Sequence, residues 1–296
     1  MMKLNTTHWP CPAKINLFLH IVGQRADGYH NLQSVFQLLD FGDQLTIEIN
    51  DSNQIQFDCD QQELSGDNNL VACAAQKLQY LARKIHSTKK FGAKLFLHKA
   101  LPVGGGVGGG SSNCATALVA LNYLWQLGLS LAELAEIGLS LGADVPIFVM
   151  GNSAFVEGIG ELLTPVEVPK AWYLVIRPTC HIATPKVFSN PLLTRDNKII
   201  KIRDLDLEAL PYQGRNAMQD VVIDGYPEVK KVLKWAKQMS PSARMTGSGS
   251  CVFLAFDNER EMSKIATQCE WPHFVAKGVN KSPLHVELRK RELKNH

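Results

Sequence analysis

Residues 102–112 read Pro-Val-Gly-Gly-Gly-Val-Gly-Gly-Gly-Ser-Ser, so that six of the seven positions from 104 to 110 are glycine. The segment before the loop, Ala93 to Lys99, alternates Leu95 and Leu97 with Lys94, Phe96 and His98, which predicts a strand. Behind it, Ser112 to Leu127 predicts a helix, with Gly128 as its stop. No charged residue occurs between Lys99 and Glu133, so this helix is expected to be buried. A backbone without Cβ atoms can turn through positive φ and bring its N–H groups close to a ligand. The next helix points its free N–H groups and a partial positive charge at the same place. A polyphosphate is the natural ligand; a flexible linker is the other reading, disfavoured by the strand and buried helix on either side.

The type of phosphate site is narrowed by what the loop lacks. A Walker A motif closes on Gly-Lys-Ser/Thr, and no Gly-Lys pair occurs in the chain. Gly104, Gly106 and Gly109 satisfy GxGxxG, but any glycine run does. A dinucleotide fold also requires an acidic residue about 20 positions on at a strand end, and the nearest, Glu133, lies at an expected helix start. A second glycine pattern, Thr246-Gly-Ser-Gly-Ser250, precedes the apolar run at Cys251. It is either a second segment approaching the phosphates or an ordinary tight turn.

Elsewhere, Gln44–Asn50 reads as a half-buried strand, with Ile55–Cys59 as its hairpin partner across Asp51–Asn53. Leu70, Ala74, Leu78 and Leu81 have helical spacing within Asp67–Ala82. Ser130 and Glu133 form a capping box that starts a helix ended by Gly142. Beyond Gly151, strands are expected at Trp172–Ile176, Cys251–Phe256 and His273–Val279, and helical material at Glu208–Pro211 and Pro227–Met239. Strands and helices are mixed without a βαβ rhythm, which favours an α+β architecture. A length of 296 residues suggests two domains, divided here as 1–160 and 161–296.

Composition removes several function classes. An apolar fraction of 45% and a charged fraction of 20% exclude a disordered chain. A net charge of +3 gives no nucleic-acid footprint. The uncharged window is too rich in glycine, Ser and Asn to span a membrane, and no signal peptide is read, so a cytoplasmic protein is expected. The seven cysteines contain no CxxC and the histidines no HExxH, which gives reduced thiols and no dedicated transition-metal site.

Three segments together resemble the GHMP small-molecule kinases: Pro12-Ala-Lys-Ile-Asn-Leu-Phe-Leu19, the loop at 102–112, and Met245-Thr-Gly-Ser-Gly-Ser-Cys-Val-Phe253. Gly23-Gln-Arg-Ala-Asp-Gly-Tyr-His30 and Gly142-Ala-Asp-Val-Pro-Ile-Phe148 narrow the resemblance to members that phosphorylate a cytidine-diphosphate-linked methylerythritol in non-mevalonate isoprenoid synthesis. The resemblance implies an N-terminal mixed α/β half of the ribosomal protein S5 domain 2-like type and a ferredoxin-like C-terminal half. ATP with Mg²⁺ lies between them, and the protein is a monomer or homodimer. It further implies Asp144 as general base and Lys14 as its catalytic partner. Asn69, Leu70, Lys99, Pro102, Val103, Gly104, Gly105, Gly106, Val107, Gly108, Gly109, Gly110, Ser111 and Ser112 would bind ATP. Asn16, Tyr29, His30, Thr184 and Phe188 would bind the acceptor.

Other readings of these residues stand beside that one. Asp144, two residues before Pro146, also suits a helix N-cap, and Lys14 a solvated strand edge. No acidic residue is obviously placed for Mg²⁺, whose ligands stay open; Ser111 or Ser112 could give one oxygen. A sister kinase acting on homoserine, mevalonate or a sugar, and a nicotinamide-dependent oxidoreductase, are the rival functions. A side chain at Gly108 is expected to weaken ATP binding with little loss of folding.

Overall fold

The computed structural model of the chain describes residues 6–294. Two long strands, β1 (Thr7–Gln24) and β2 (His30–Asn50), form an antiparallel hairpin closed by a turn in which Gly28 has φ 87°. Then come β3 (Ile55–Cys59), α1 (Leu70–Ile85), β4 (Gly92–His98), α2 (Gly109–Trp125), α3 (Leu131–Leu139) and α4 (Val145–Met150). A second series holds β5 (Ala154–Glu157), β6 (Leu162–Pro165), β7 (Trp172–Ile176), α5 (Thr184–Phe188), α6 (Gln219–Gly225) and α7 (Pro227–Met239). It closes with β8 (Arg244–Met245), β9 (Val252–Phe256), α8 (Glu259–Ala266), β10 (His273–Val279) and α9 (Pro283–Lys294).

All ten strands belong to one sheet, whose main path runs β3-β4-β2-β10-β7-β9-β8. Its second half, β10-β7-β9-β8, is antiparallel throughout, with α7 and α8 packed against it. That is the ferredoxin-like order of a split βαβ unit. The only parallel strand pair among the described residues is β3–β4. The α+β expectation therefore holds, and a doubly wound dinucleotide fold is excluded.

Three differences from the sequence reading have local causes. Strand β3 does not pair with Gln44–Asn50; β4 lies between them, antiparallel to β2 and parallel to β3. A hairpin signal reports a turn but not which strand later inserts, and the stronger burial of Ala93, Leu95 and Leu97 makes β4 the central one. Helix α2 starts at Gly109, inside the glycine run, and ends with Gln126 in the left-handed region at φ 56° rather than at Gly128. Its burial overrides the poor helix propensity of glycine. Glu208–Pro211 is a turn, not a helix. The capping box of Ser130 and Glu133 is present, with α3 ending at Leu139, before Gly142.

Three apolar clusters hold the layers together. One packs α1, α2 and α4 on β1, β2 and β4, through residues such as Trp9, Leu45, Leu78, Leu118 and Phe148. A second packs α6, α7 and α8 on β7 and β9, through Leu174, Val222, Val232 and Met262. The third takes in Ile15 and Leu39 with Tyr173 and Phe253 from the second half, and includes Val107 of the glycine loop. That loop is thereby seated on the core between the two halves.

Candidate active site

The glycine loop leaves β4 and enters α2 through three left-handed residues, Gly104 (φ 68°), Gly106 (φ 76°) and Gly108 (φ 74°). Close packing explains the absence of side chains. A Cβ on Gly106 would stand 2.3 Å from the Thr246 carbonyl oxygen, and one on Gly108 2.7 Å from the Phe148 ring. The second glycine segment is the partner surface: Cys251 N donates to Gly105 O at 3.1 Å, and Thr246 Oγ1 donates to Gly106 O at 3.3 Å. Thr246–Ser250 is a tight turn, closed by Gly249 N donating to Thr246 O at 3.0 Å, and the same turn abuts the glycine loop. The Cys251 thiol beneath it is pushed up to about 12 by burial, so it is inert packing.

The adjacent strand brings in the charged groups. Lys14 N donates to Val107 O at 3.0 Å, so β1 is tied to the loop by its backbone. The Lys14 side chain is 3% exposed, its Nζ 3.2 Å from Asp144 Oδ2, whose side chain is 33% exposed. The same ammonium donates to Asn16 Oδ1 at 2.8 Å and lies 4.2 Å from the centre of the Phe36 ring. Asn16 is fixed in turn by Ser34 Oγ, which accepts from Nδ2 at 3.0 Å, and by the Thr246 hydroxyl. Lys14 is therefore a buried, oriented cation, not a solvated strand edge. Asp144 occupies the N-cap position of α4 yet makes no side-chain cap bond. Its carboxylate has one oxygen on Lys14 and a share of solvent.

These groups line a cleft of about 370 Å³ whose walls include Lys14, Asn16, Phe36, Gly104, Gly106, Gly108, Ser111, Asp144, Thr184 and Phe188. A larger groove of about 810 Å³ lies between α3 and α9, away from this chemistry. The remaining residues singled out in the sequence fall into distinct positions. Thr184 Oγ1 and Ser248 Oγ share a hydrogen bond of 2.7 Å at the rim. His30 stacks on Phe188, with centroids 4.9 Å apart and planes at 23°, whereas Tyr29 is 61% exposed at the hairpin turn. Asn69 caps α1 by accepting from Val71 N at 2.9 Å, and Leu70 Cδ1 lies 3.7 Å from where a Cβ on Gly110 would be. Pro102 is buried and Val103 half exposed, at the entry to the loop.

Lys99 is placed differently from a ligand-facing lysine. Its Nζ is paired with Asp43 Oδ2, and both side chains are almost fully buried. Asp43 also accepts from Ala100 N at 2.8 Å, Leu101 N at 2.7 Å and Asn113 Nδ2 at 2.9 Å. This network joins β2, the loop's first residues and the first turns of α2. Ser111 faces the cleft, while Ser112 is fully buried and its hydroxyl has no hydrogen-bond partner among the described residues.

Several functional neighbours escaped the sequence reading. Asp43 and Ser34 lie in the long β2, where nothing in the local pattern distinguishes them from surface residues. Thr246 lay inside a recognised motif, but its hydroxyl had no assigned task. Arg195 donates to His30 Nε2 at 3.0 Å across 165 residues of sequence, a separation no local signal spans. With burial as the larger cause and Arg195 the second, His30 is held below the usual histidine range.

Comparison with known proteins gives the family and the fold. The family described as GHMP kinases N terminal domain matches residues 69–152, and GHMP kinases C terminal matches residues 202–270. A curated 4-diphosphocytidyl-2-C-methyl-D-erythritol kinase of Mannheimia succiniciproducens is 49% identical over 291 residues, covering 98% of this chain and 93% of that one. The crystal structure of a 4-(cytidine 5'-diphospho)-2C-methyl-D-erythritol kinase superposes with a TM-score of 0.78 at 28% identity, over 92% of this chain and 99% of the other. A homoserine kinase from Cytophaga hutchinsonii shares the fold, with a TM-score of 0.66 at 16% identity over 95% and 96% of the two chains.

Proposed function

The chain belongs to the GHMP kinase family, and on that premise we propose that it transfers the γ-phosphoryl group of ATP to the C2 hydroxyl of 4-diphosphocytidyl-2-C-methyl-D-erythritol. The observation that carries this reading is the 3.2 Å contact of Lys14 Nζ with Asp144 Oδ2 in a cleft whose wall is the glycine loop. The loop amides and the N-terminus of α2 receive the phosphates of ATP. Asn69, Leu70 and the loop entry at Pro102 and Val103 lie on the nucleoside side. Tyr29, His30, Thr184 and Phe188 take the cytidylyl group, and Asn16 with Lys14 and Asp144 the reacting hydroxyl. The division at residue 160 falls between the two matched stretches of the family.

In the proposed reaction, Asp144 accepts the proton of the acceptor hydroxyl as the oxygen forms its bond to the γ-phosphorus. The bond from that phosphorus to the β–γ bridging oxygen breaks, and ADP leaves. Lys14 compensates the negative charge gathered around the transferring group. It is already desolvated and oriented by Asn16 and Phe36, so little reorganisation accompanies the step. Mg²⁺ suits the site in one respect: the Ser111 hydroxyl faces the cleft, and this ion usually takes few protein ligands beside phosphates and water. When bound, it neutralises phosphate charge.

The test is a coupled assay of ADP release with purified protein, ATP, Mg²⁺ and the cytidine-linked acceptor, with ³¹P NMR of the product. A new phosphomonoester resonance on the methylerythritol moiety is expected. ADP release with homoserine or mevalonate but not with the cytidine-linked acceptor would overturn the proposal.

A further inference from the structure

A guanidinium can only donate hydrogen bonds, so any ring nitrogen that meets it must accept. Arg195 Nε points at His30 Nε2, 3.0 Å away. The imidazole is therefore neutral there, with its proton on Nδ1. A protonated ring would set N–H against N–H, and burial together with the Arg195 charge already disfavours that form. Among the described residues, Nδ1–H meets no protein acceptor, so this donor is left for a ligand.

The same arginine fixes the stacked partner. Its Nη2 donates to the Phe188 carbonyl at 2.7 Å and to Asn190 O at 3.0 Å, and Nη1 donates to Leu193 O at 3.0 Å. One side chain thus holds the His30 ring from its edge and the backbone that carries the Phe188 ring. Phe188 lines the cleft. His30 lies over one face of Phe188, so a base that accepts from its in-plane Nδ1–H lies on that same side of the Phe188 ring. Cytosine offers acceptors at O2 and N3, whereas uracil carries a proton on N3. A donor that cannot switch tautomer favours an acceptor at that edge.

We propose that Arg195 is a specificity-determining positioning residue: it locks His30 as an Nδ1–H donor and sets the His30–Phe188 stack, so that the pocket selects cytosine over uracil. This rests on the reading of the acceptor given above. The lock itself concerns the free protein.

Two measurements separate the two claims. Long-range ¹H–¹⁵N correlation on labelled protein without substrate reads the His30 tautomer directly. Wild-type protein is expected to show Nδ1–H, Arg195→Met to show a mixture or Nε2–H, and Arg195→Lys to keep Nδ1–H. A wild-type His30 protonated on Nε2 at neutral pH would overturn the lock. Steady-state kinetics then compare cytidine- and uridine-linked acceptors. With Arg195→Met, KM for the cytidine acceptor should rise roughly 10- to 100-fold, KM for ATP should stay within about twofold, and the preference for cytidine should shrink. Arg195→Lys, which keeps a charged donor on His30, should recover part of it. An unchanged preference in a folded Arg195→Met protein refutes the selectivity role. A wild-type enzyme that phosphorylates neither acceptor refutes the functional reading and the selectivity role with it, while the tautomer spectrum still decides the lock.

Discussion

Asp144 stands at the N-cap position of α4 but directs its carboxylate to Lys14 Nζ, 3.2 Å away, and not to the backbone amides of its own helix. The ion pair joins the first turn of α4 to β1, on either side of the cleft that the glycine loop borders. Because no cap bond depends on this side chain, its chemistry can be changed without unpicking the helix.

Asp144→Asn tests that separation. Asparagine preserves the shape but cannot take the acceptor's proton. The expected result is a kcat lower by roughly 10²–10⁴-fold, with KM values changed far less. The melting temperature should fall modestly: Asp144 is a third exposed, but the buried Lys14 ammonium loses its counter-charge and keeps only Asn16 Oδ1 and the Phe36 ring. Single-turnover phosphoryl transfer at saturating substrates isolates the step. A loss below about tenfold would move the main catalytic role to Lys14.

Glycine substitutions separate packing from ligand approach. Gly106→Ala places a methyl 2.3 Å from the Thr246 carbonyl oxygen at a φ of 76°, so both strain and collision oppose folding. Gly110→Ala meets only Leu70 Cδ1, at 3.7 Å, within the first turn of α2. It should be neutral or stabilise by about 0.5–1 kcal/mol. Gly108→Val belongs with the first of these. Its Cβ would stand 2.7 Å from Phe148 Cζ and 3.1 Å from Lys14 Cγ, so folding suffers as well as ATP binding, contrary to what the loop's composition suggests. Thermal melts of the three variants give the order; equal melting temperatures would count against a core-seated loop.

Much of this architecture was readable from local signals. The strand–glycine loop–helix unit, the capping box at Ser130, the buried strand at Trp172–Ile176 and the strand at His273–Val279 are written in spacing and turn chemistry within a dozen residues. The order of strands was not, because β4 inserts between β2 and β3 through sheet pairing set by tertiary burial. The glycine motifs were evident, whereas the meeting of Gly106 with Thr246 spans 140 residues. Buried polar partners were least legible. Asp43, Ser34 and Arg195 look like surface residues in sequence, and only the fold supplies what they bond.

The Asp43–Lys99 pair carries a stability prediction. Lys99→Met leaves the Asp43 carboxylate buried without its counter-charge, although Ala100, Leu101 and Asn113 still donate to it. Breaking a buried pair on one side costs about 3–5 kcal/mol. At ~2.1 cal/mol/K of unfolding entropy per residue, the melting point should fall by roughly 5–8 °C. The double variant Asp43→Asn with Lys99→Met should lose less than Lys99→Met alone, because no orphaned charge remains. If the single and double variants melt together, the carboxylate is not the source of the loss.

Acid sensitivity should come first from histidines, not from carboxylates. His20, His30 and His285 are all held below the ordinary value of about 6.5, each with burial as the leading cause. The Arg215 charge adds to the effect at His20, and Arg195 at His30. At His285, the bond of Nε2 to the Val149 carbonyl, 2.8 Å long, works against it without cancelling it. A base with a depressed folded pKa binds protons more readily once unfolded. The stability it contributes is complete above the unfolded value and is lost as pH falls through the folded one. Urea midpoints should therefore be level from about pH 8 to 7 and decline below about 6.5, well above the range in which carboxylates titrate. His285→Gln can keep a donor for the Val149 carbonyl but has no ring to protonate, so its decline should be shallower than that of wild type. A midpoint that rises as pH falls from about 6.5 to 5 would contradict the assignment, since every one of these three groups pushes the other way.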